Sequence, residues 1–518
     1  MTRVRKSLTI AAFGYGQYAL AIVSGVLLVP LTLRSLGARS WGLWLASGEV
    51  LNYATMVDLG MLSVLPWLLA SADGSRDAER ARRLISQSLW FATGAGIVYA
   101  LVAAAFWLWL PSIVLLNPAD RALVGAPLAL MVVLGVVKYP LSVFRAALVG
   151  IQDVTFGGVM TIGAALLSIL LTAIMLLGGY GLYALACASA IPPLVVFGVS
   201  AFRLRAIRPD LMPRWERPRL TEFKMLMTNG AGVWVGSLGW QLLNASNAIV
   251  IAYLGHPEWV PIYSCTAKLS SSAMQIAWVL PDSSQVSLAQ IHGEAPPPSR
   301  LLNVVFLVIK MHLLFAGGAA VGVLIFNPAF VTAWVGPGMF GGMTLNALLA
   351  VGIVFYSVIH GLITCAAVLG NRPRVGIAVL MNGVLQLGLG VFLGHRFGLV
   401  GIAWAGLVAG AVTSLPAGLM LLKPSTSISI RALGAELVGP WFVRIVPIAM
   451  IAALGGVLYD VLGLWLSGLA AAGLGLAYLR AMRPLYDSLP FGPRLSVWLV
   501  RLRLLKPVDR QSPVFEAL

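Results

Sequence analysis

About fourteen stretches of this chain, each roughly as long as a helix needs to be to cross a bilayer core of about 30 Å, are almost free of charge. In lipid such a segment must satisfy its own backbone hydrogen bonds, so only a helix or a closed barrel is open to it. The stretches are far longer than barrel strands and show no strict alternation, which leaves helices. They lie near 8–33, 41–70, 85–110, 122–150, 154–178, 181–204, 225–253, 259–289, 301–327, 342–369, 374–394, 398–422, 440–461 and 463–482. Only 10% of residues are charged, against roughly a quarter in soluble domains. The expected fold class is an all-α polytopic membrane protein of about fourteen transmembrane helices.

Charge orients the chain. Of 35 Lys and Arg residues, 26 sit in alternate connections, among them the N-terminus, 76–83, 203–224, Arg372 with Arg374, and the segment beyond Arg480. The other connections hold only Arg34, Arg39, Arg121 and Arg396. A net charge of +17 suggests nucleic acid at first, but that needs a folded basic surface. Positives spread over short loops are the positive-inside signature, with both termini on the cytoplasmic side and no nucleic-acid partner expected. The tail, with Arg494, Trp498, Arg501, Arg503 and Lys506, is expected to lie on the anionic leaflet. The basic start runs into a span too long for a cleavable leader. Cys187, Cys265 and Cys365 fall inside spans without disulfide or metal spacing, as small core residues do.

The chain also repeats itself. Leu36-Gly37 with Trp41 recurs as Leu254-Gly255 with Trp259, Val64-Leu65-Pro66 as Val279-Leu280-Pro281, and Asn117-Pro118-Ala119 as Asn327-Pro328-Ala329. Ala146-Ala147 with Gly150 recurs as Ala366-Ala367 with Gly370, and Tyr180-Gly181-Leu182 as Phe397-Gly398-Leu399. The offsets run 218, 215, 210, 220 and 217 in one order. Two pseudo-symmetric six-helix lobes are therefore expected, at 1–215 and 216–423, followed by two extra C-terminal helices at 424–486 and a basic cytoplasmic tail at 487–518. Two such bundles would leave a central cleft.

Val29 to Trp44 (VPLTLRSLGARSWGLW), Asp58-Leu59-Gly60, Asn327 to Phe340 (NPAFVTAWVGPGMF) and Gly398 to Ala403 carry a family resemblance. Together they resemble bacterial polysaccharide flippases of the multidrug/oligosaccharidyl-lipid/polysaccharide (MOP) exporter superfamily. The resemblance covers the first twelve spans in order. It implies a bacterial inner-membrane flippase that moves an undecaprenyl-diphosphate-linked oligosaccharide from the cytoplasmic to the periplasmic leaflet by alternating access, for surface or exopolysaccharide synthesis. It also implies membrane lipids and polysaccharide polymerase machinery as partners. One departure stands out: many members carry an acidic–basic pair late in span 7, where this chain has Ser246-Asn247-Ala248. No role of that pair is carried over.

Five basic residues lie inside spans: Lys138, Arg145, Lys268, Lys310 and Arg444. A charge at that depth costs roughly 2.5–3.5 kcal/mol on insertion scales, so each needs a reason. Lys138 and Arg145 are about 700° of helical rotation apart, within about 20° of one face, with Pro140 between them. Lys138, Arg145, Lys268 and Lys310 are the candidates for gripping a diphosphate in a wet cleft. Arg145 is equally placed to snorkel to the cytoplasmic surface, and Arg444 fits an interfacial anchor.

Glu49, Asn52 and Tyr53 share a face and could contact sugar or a coupling ion, or simply bond a neighbouring helix. For Asp58 the resemblance implies a role in gating, while the residue itself suggests pairing with Arg145 or another base. In span 7, Ser237, Gln241 and Asn244 form a polar stripe suited to sugar hydroxyls or to helix contacts. His312 and His360 lack metal-ligand spacing, and His360 has no acidic residue at helical spacing, so no metal is expected. Without a Gly-Lys-Ser/Thr phosphate loop no cofactor is expected either, and proton coupling, sodium coupling and facilitated movement stay open. The alternatives are a drug or cation antiporter of the same superfamily, which should line its cleft with carboxylates, and an oligosaccharide polymerase or ligase. The enzyme is disfavoured because the longest non-cytoplasmic loop has only about fourteen residues.

Overall fold

The apolar runs fold into helices, and no strand occurs among the described residues, which are 3–486 apart from 284 and 295 of the computed structural model. The basic tail expected over 487–518 lies outside them. The chain forms two compact units, Met1–Pro261 and Ile262–Leu518. The first holds α1 (Arg3–Ala54), α2 (Met61–Gly74), α3 (Ala78–Ile113), α4 (Pro118–Gly150), α5 (Val154–Leu177), α6 (Leu182–Ile207) and α7 (Leu220–Tyr253). Helix α8 (Trp259–Ser283) starts at the boundary. It is followed by α9 (Gln285–Gly293), α10 (Pro298–Val335), α11 (Met343–Ala366), α12 (Arg372–Val412) and α13 (Ser414–Thr426). The chain then runs through α14 (Ile430–Leu433), α15 (Gly439–Val457), α16 (Tyr459–Ala481) and α17 (Arg483–Tyr486).

Ten helical segments of the described residues are long and apolar enough to cross a membrane. Two of them each hold two expected spans: Ala19–Gly74 the first pair, and Arg372–Thr426 the eleventh and twelfth. Helices α7 and α8 have spanning length but carry more polar side chains, from Gln241 and Asn244 to Thr266 and Lys268. Large apolar side chains such as Leu108, Trp109 and Ile174 face outward, 64–70% exposed. In water such a surface would aggregate, and lipid is the medium that covers it. The chain is an all-α, multi-pass membrane protein.

The paired spans meet at glycines. Gly37 (φ 75°) and Gly398 (φ 57°) turn the chain within what is otherwise continuous helix. Gly181 and Gly398, partners in the sequence repeat, have φ/ψ of 59°/−136° and 57°/−138°. This region is nearly closed to any residue with a Cβ. The Asn-Pro repeat diverges instead. Asn117 caps α4 by accepting from the Asp120 N–H at 2.7 Å, whereas Asn327 lies buried inside α10. There its amide donates to the Thr266 carbonyl and to Asn346 Oδ1, both at 2.8 Å.

Polar contacts tie alternate connections of the first unit together at its two ends. At one end Arg208 bonds Asp73 at 2.8 Å and Asp210 at 3.0 Å, and Arg203 bonds Asp153 at 2.9 Å. Buried Arg82 pairs with Glu79 and, at 3.4 Å, with Glu216. Gln87 accepts from the Arg219 N–H at 2.7 Å, and Trp90 donates to the Glu216 carbonyl at 2.7 Å. The connections α2–α3, α4–α5 and α6–α7 thus meet. At the opposite ends of these helices Arg39 bonds Asp120 at 2.7 Å and lies 3.8 Å from Glu258, joining α1, the start of α4 and the turn after α7. Between the ends, α2, α3, α4 and α6 share an apolar core around Leu65, Leu69, Ile85, Val143, Ala147 and Leu204.

Candidate functional site

The first unit has an open-mouthed cavity of about 290 Å³ between α1, α3, α4 and α6. On α1, Glu49 and Asn52 are three residues apart and so share a face. On α4, Met131, Gly135 and Lys138 recur at helical spacing and present one side to the same space. Thr55, just after α1, Ser189 of α6 and Tyr99 of α3 add to its polar lining. Gly135 allows the close approach: a Cβ there would fall 2.7 Å from the Tyr99 ring. Tyr99 in turn packs on Tyr139 with ring centroids 5.4 Å apart, and the Tyr139 hydroxyl donates to the Thr55 carbonyl at 2.7 Å.

The cavity holds one cation and one carboxylate. Lys138 and Glu49 both line it, yet no ion pair joins them among the described residues. A partly buried ammonium without a salt partner needs water or an anion beside it, which a cavity of this size admits. Glu49 is held from its other side. The Gln241 amide donates to Glu49 Oε2 at 3.2 Å, and the Tyr53 hydroxyl lies 3.4 Å from the Gln241 carbonyl. The trio Glu49, Asn52 and Tyr53 on α1 and Gln241 of the polar stripe on α7 therefore form one cluster between the two helices. Asn244 stands apart, because its amide donates to the Trp240 carbonyl of its own helix at 2.8 Å.

The other candidates divide. Arg145 shares its helix with Lys138 but does not line the cavity; it lies against α5, 3.3 Å from the Gly157 carbonyl and 3.3 Å from Thr161 Oγ1. Asp58 does not pair with Arg145 or, among the described residues, with any other base. It accepts the Gly60 N–H at 3.3 Å, in the turn between α1 and α2. In the second unit Lys310, on α10, is half-buried and feels the charge of Glu436 without a direct ion pair to it among the described residues. Lys268, on α8, is half-buried. Arg444 donates to the Pro440 carbonyl one turn back.

One cluster escaped the sequence reading. His360 has no acidic residue at helical spacing on α11, but Asp282 reaches it from α8, with His360 Nε2 2.9 and 3.1 Å from the two carboxylate oxygens. His312 of α10 lies edge-on to His360 with centroids 5.7 Å apart. Helical spacing sees only one helix at a time, and this trio is drawn from three.

No family model matches the chain, and no curated protein matches it. Among solved structures, the lipid II flippase MurJ in an inward closed conformation aligns with a TM-score of 0.65 at 14% identity, covering 92% of this chain and 99% of that one. An inward-facing multidrug-resistance MATE family transporter of the MOP superfamily aligns with a TM-score of 0.61 at 15% identity, covering 79% and 96%. A MOP superfamily transporter from Pyrococcus furiosus, whose reversed pocket polarity suggests a different function for it, aligns at 0.55 and 15%, covering 82% and 96%. At such identities the likeness is one of fold, and the chain has the fold that MurJ and the MATE transporters share.

Proposed function

We propose that this protein is a flippase moving an undecaprenyl-diphosphate-linked oligosaccharide from the cytoplasmic to the periplasmic leaflet of a bacterial inner membrane, feeding polysaccharide polymerase machinery. The observation that carries the proposal is Lys138, a cation without a salt partner among the described residues, lining a cavity inside a bundle of membrane helices. A diphosphate is the anion that such a site attracts, and the ammonium serves as its point of attachment. Asn52 and Ser189, on the same walls, offer hydrogen bonds to sugar hydroxyls. The fold likeness to a lipid II flippase over 92% of this chain supports the choice of a lipid-linked glycan. Lys268 is a further candidate for the anion in the second unit. The 26 positives in alternate connections support an orientation with both termini cytoplasmic. Movement itself needs no covalent chemistry.

A second reading is favoured by Glu49, which lines the same cavity and is what a drug or cation antiporter would use. Reconstitution in liposomes separates the two. A fluorescent undecaprenyl-diphosphate-linked glycan should become accessible to an external sugar-modifying enzyme when the protein is present and not in empty liposomes, and Lys138→Ala should slow that exposure. Cation exchange without glycan movement would establish the antiporter instead.

A further inference from the structure

We propose that Asp282, His312 and His360 form a binding site for a divalent first-row transition-metal ion of the zinc class, joining α8, α10 and α11 within the second unit. One ligand atom from each residue lies within 4.8 Å of the others. The proposal stands apart from the transport reading and uses none of its residues.

The hydrogen bonds assign the free atom. His312 Nδ1 is 2.9 Å from the Val308 carbonyl. A carbonyl oxygen only accepts, so Nδ1 carries the proton, and in the neutral ring Nε2 carries the lone pair. That Nε2 is buried and has no hydrogen-bond partner, in a side chain 1% exposed. An unmet buried acceptor is costly and calls for a ligand. Its ring is also held in place: a Cβ at Gly361 would fall 3.0 Å from Nδ1, so the glycine lets the imidazole lie against α11.

His360 is fixed as a metal ligand's outer shell would fix it. Its ring stacks on Trp278 at 4.0 Å with planes 2° apart. Trp278 Nε1 in turn donates to Ser357 Oγ at 2.8 Å, one turn before His360 on α11. Trp278 and Asp282 are themselves four residues apart on α8, so one helix face supplies both the stack and the carboxylate.

Two imidazoles and one carboxylate suit zinc and its neighbours rather than sodium, magnesium or calcium, which prefer oxygen. A zinc ion about 2.1 Å from each donor holds its ligands about 3.4 Å apart, so capture lets the His360–Asp282 contact open from 2.9 Å and draws in whatever separation exceeds that, none being above 4.8 Å. The ion displaces the proton on His360 Nε2 that now bonds Asp282. A neutral ring shifts that proton to Nδ1, and an imidazolium releases it to solvent. Three protein ligands leave the fourth position to water.

The test titrates full-length protein in detergent with Co²⁺, followed by its visible d–d absorption, and then with Zn²⁺ in competition. One equivalent of Co²⁺ with the intense absorption of a tetrahedral nitrogen–oxygen site, displaced by one equivalent of Zn²⁺, is the expected result. His312→Ala and Asp282→Asn should each weaken binding at least tenfold. Circular dichroism and size-exclusion elution identify variants that retain the fold, and His312→Gln replaces the alanine if that one does not. An absence of stoichiometric Co²⁺ binding by folded wild-type protein would overturn the proposal, leaving a water at His312 Nε2. Equal binding by the folded variants would overturn it as well.

Discussion

Lys138 of α4 and Glu49 of α1 line one cavity without forming an ion pair. Opposite charges left apart in a low-dielectric bundle attract ligands of both signs, and the wall that holds each charge sets the cost of removing it.

Replacing Lys138 with Ala should lower glycan movement about tenfold to a hundredfold, the equivalent of one charged hydrogen bond of ~1.5–3 kcal/mol. Protein abundance and thermal midpoint should stay at wild-type levels, because no ion pair is lost. Lys138→Arg should keep part of the activity. Initial rates in the liposome assay, normalised to inserted protein, provide the measurement.

Glu49→Gln keeps an acceptor for the Gln241 amide, 3.2 Å away in the native protein, so its fold should persist. If Glu49 carries the coupling ion, the variant's rate should no longer respond to an imposed proton or sodium gradient. A variant that still follows the gradient would remove Glu49 from coupling.

Arg145 should behave differently from its neighbour on α4. Its contacts with Gly157 and Thr161 are helix-to-helix contacts, so Arg145→Leu should cost about 1 kcal/mol of stability. Transport per folded molecule should remain unchanged. A selective loss of transport at full stability would return Arg145 to the substrate path.

At the end of the first unit where α2–α3 and α6–α7 meet, Arg82→Ala should destabilise by ~1–3 kcal/mol, since it strips a buried guanidinium from Glu216. Nearby, the hydrogen bond from Arg208 holds the Asp210 carboxyl below the usual carboxylate range. A depressed carboxyl contributes its stability above its unfolded value and loses it as pH falls through the folded one. Loop protection around Asp210, read by hydrogen exchange, should therefore persist through mildly acid pH. The group is largely exposed, so the effect on global stability should be small.

Single cysteines at Asp73 and at exposed Ala119, in a background lacking Cys187, Cys265 and Cys365, should react with a membrane-impermeant maleimide from opposite sides. With both termini cytoplasmic, the cysteine at Ala119 should label in intact cells and the one at Asp73 only after permeabilisation. The reverse pattern would invert the orientation.

The spans and their charge pattern were legible because lipid imposes length and apolarity on every segment separately. The same holds for Glu49 and Asn52, whose spacing on one helix already places them together. Helical spacing puts Arg145 on one face with Lys138 over an ideal helix, yet α5 lies against one part of α4 and the cavity against another. Glu436, whose charge Lys310 feels, belongs to a short helical turn preceding α15, beyond the reach of spacing along α10. Asp282 and His360 could not be connected from spacing, since their contact is made between helices and depends on packing that no single segment encodes.

Gly181 and Gly398 keep nearly identical backbone angles, while the residues before them differ, Tyr180 against Phe397, and the Asn-Pro pair has taken two different tasks. Side chains can change wherever a neighbour compensates, but no neighbour can supply a missing degree of backbone freedom. These two positions therefore hold the repeated motif through backbone geometry rather than through side-chain contacts. A comparison anchored on them would align the two halves where side-chain similarity has faded.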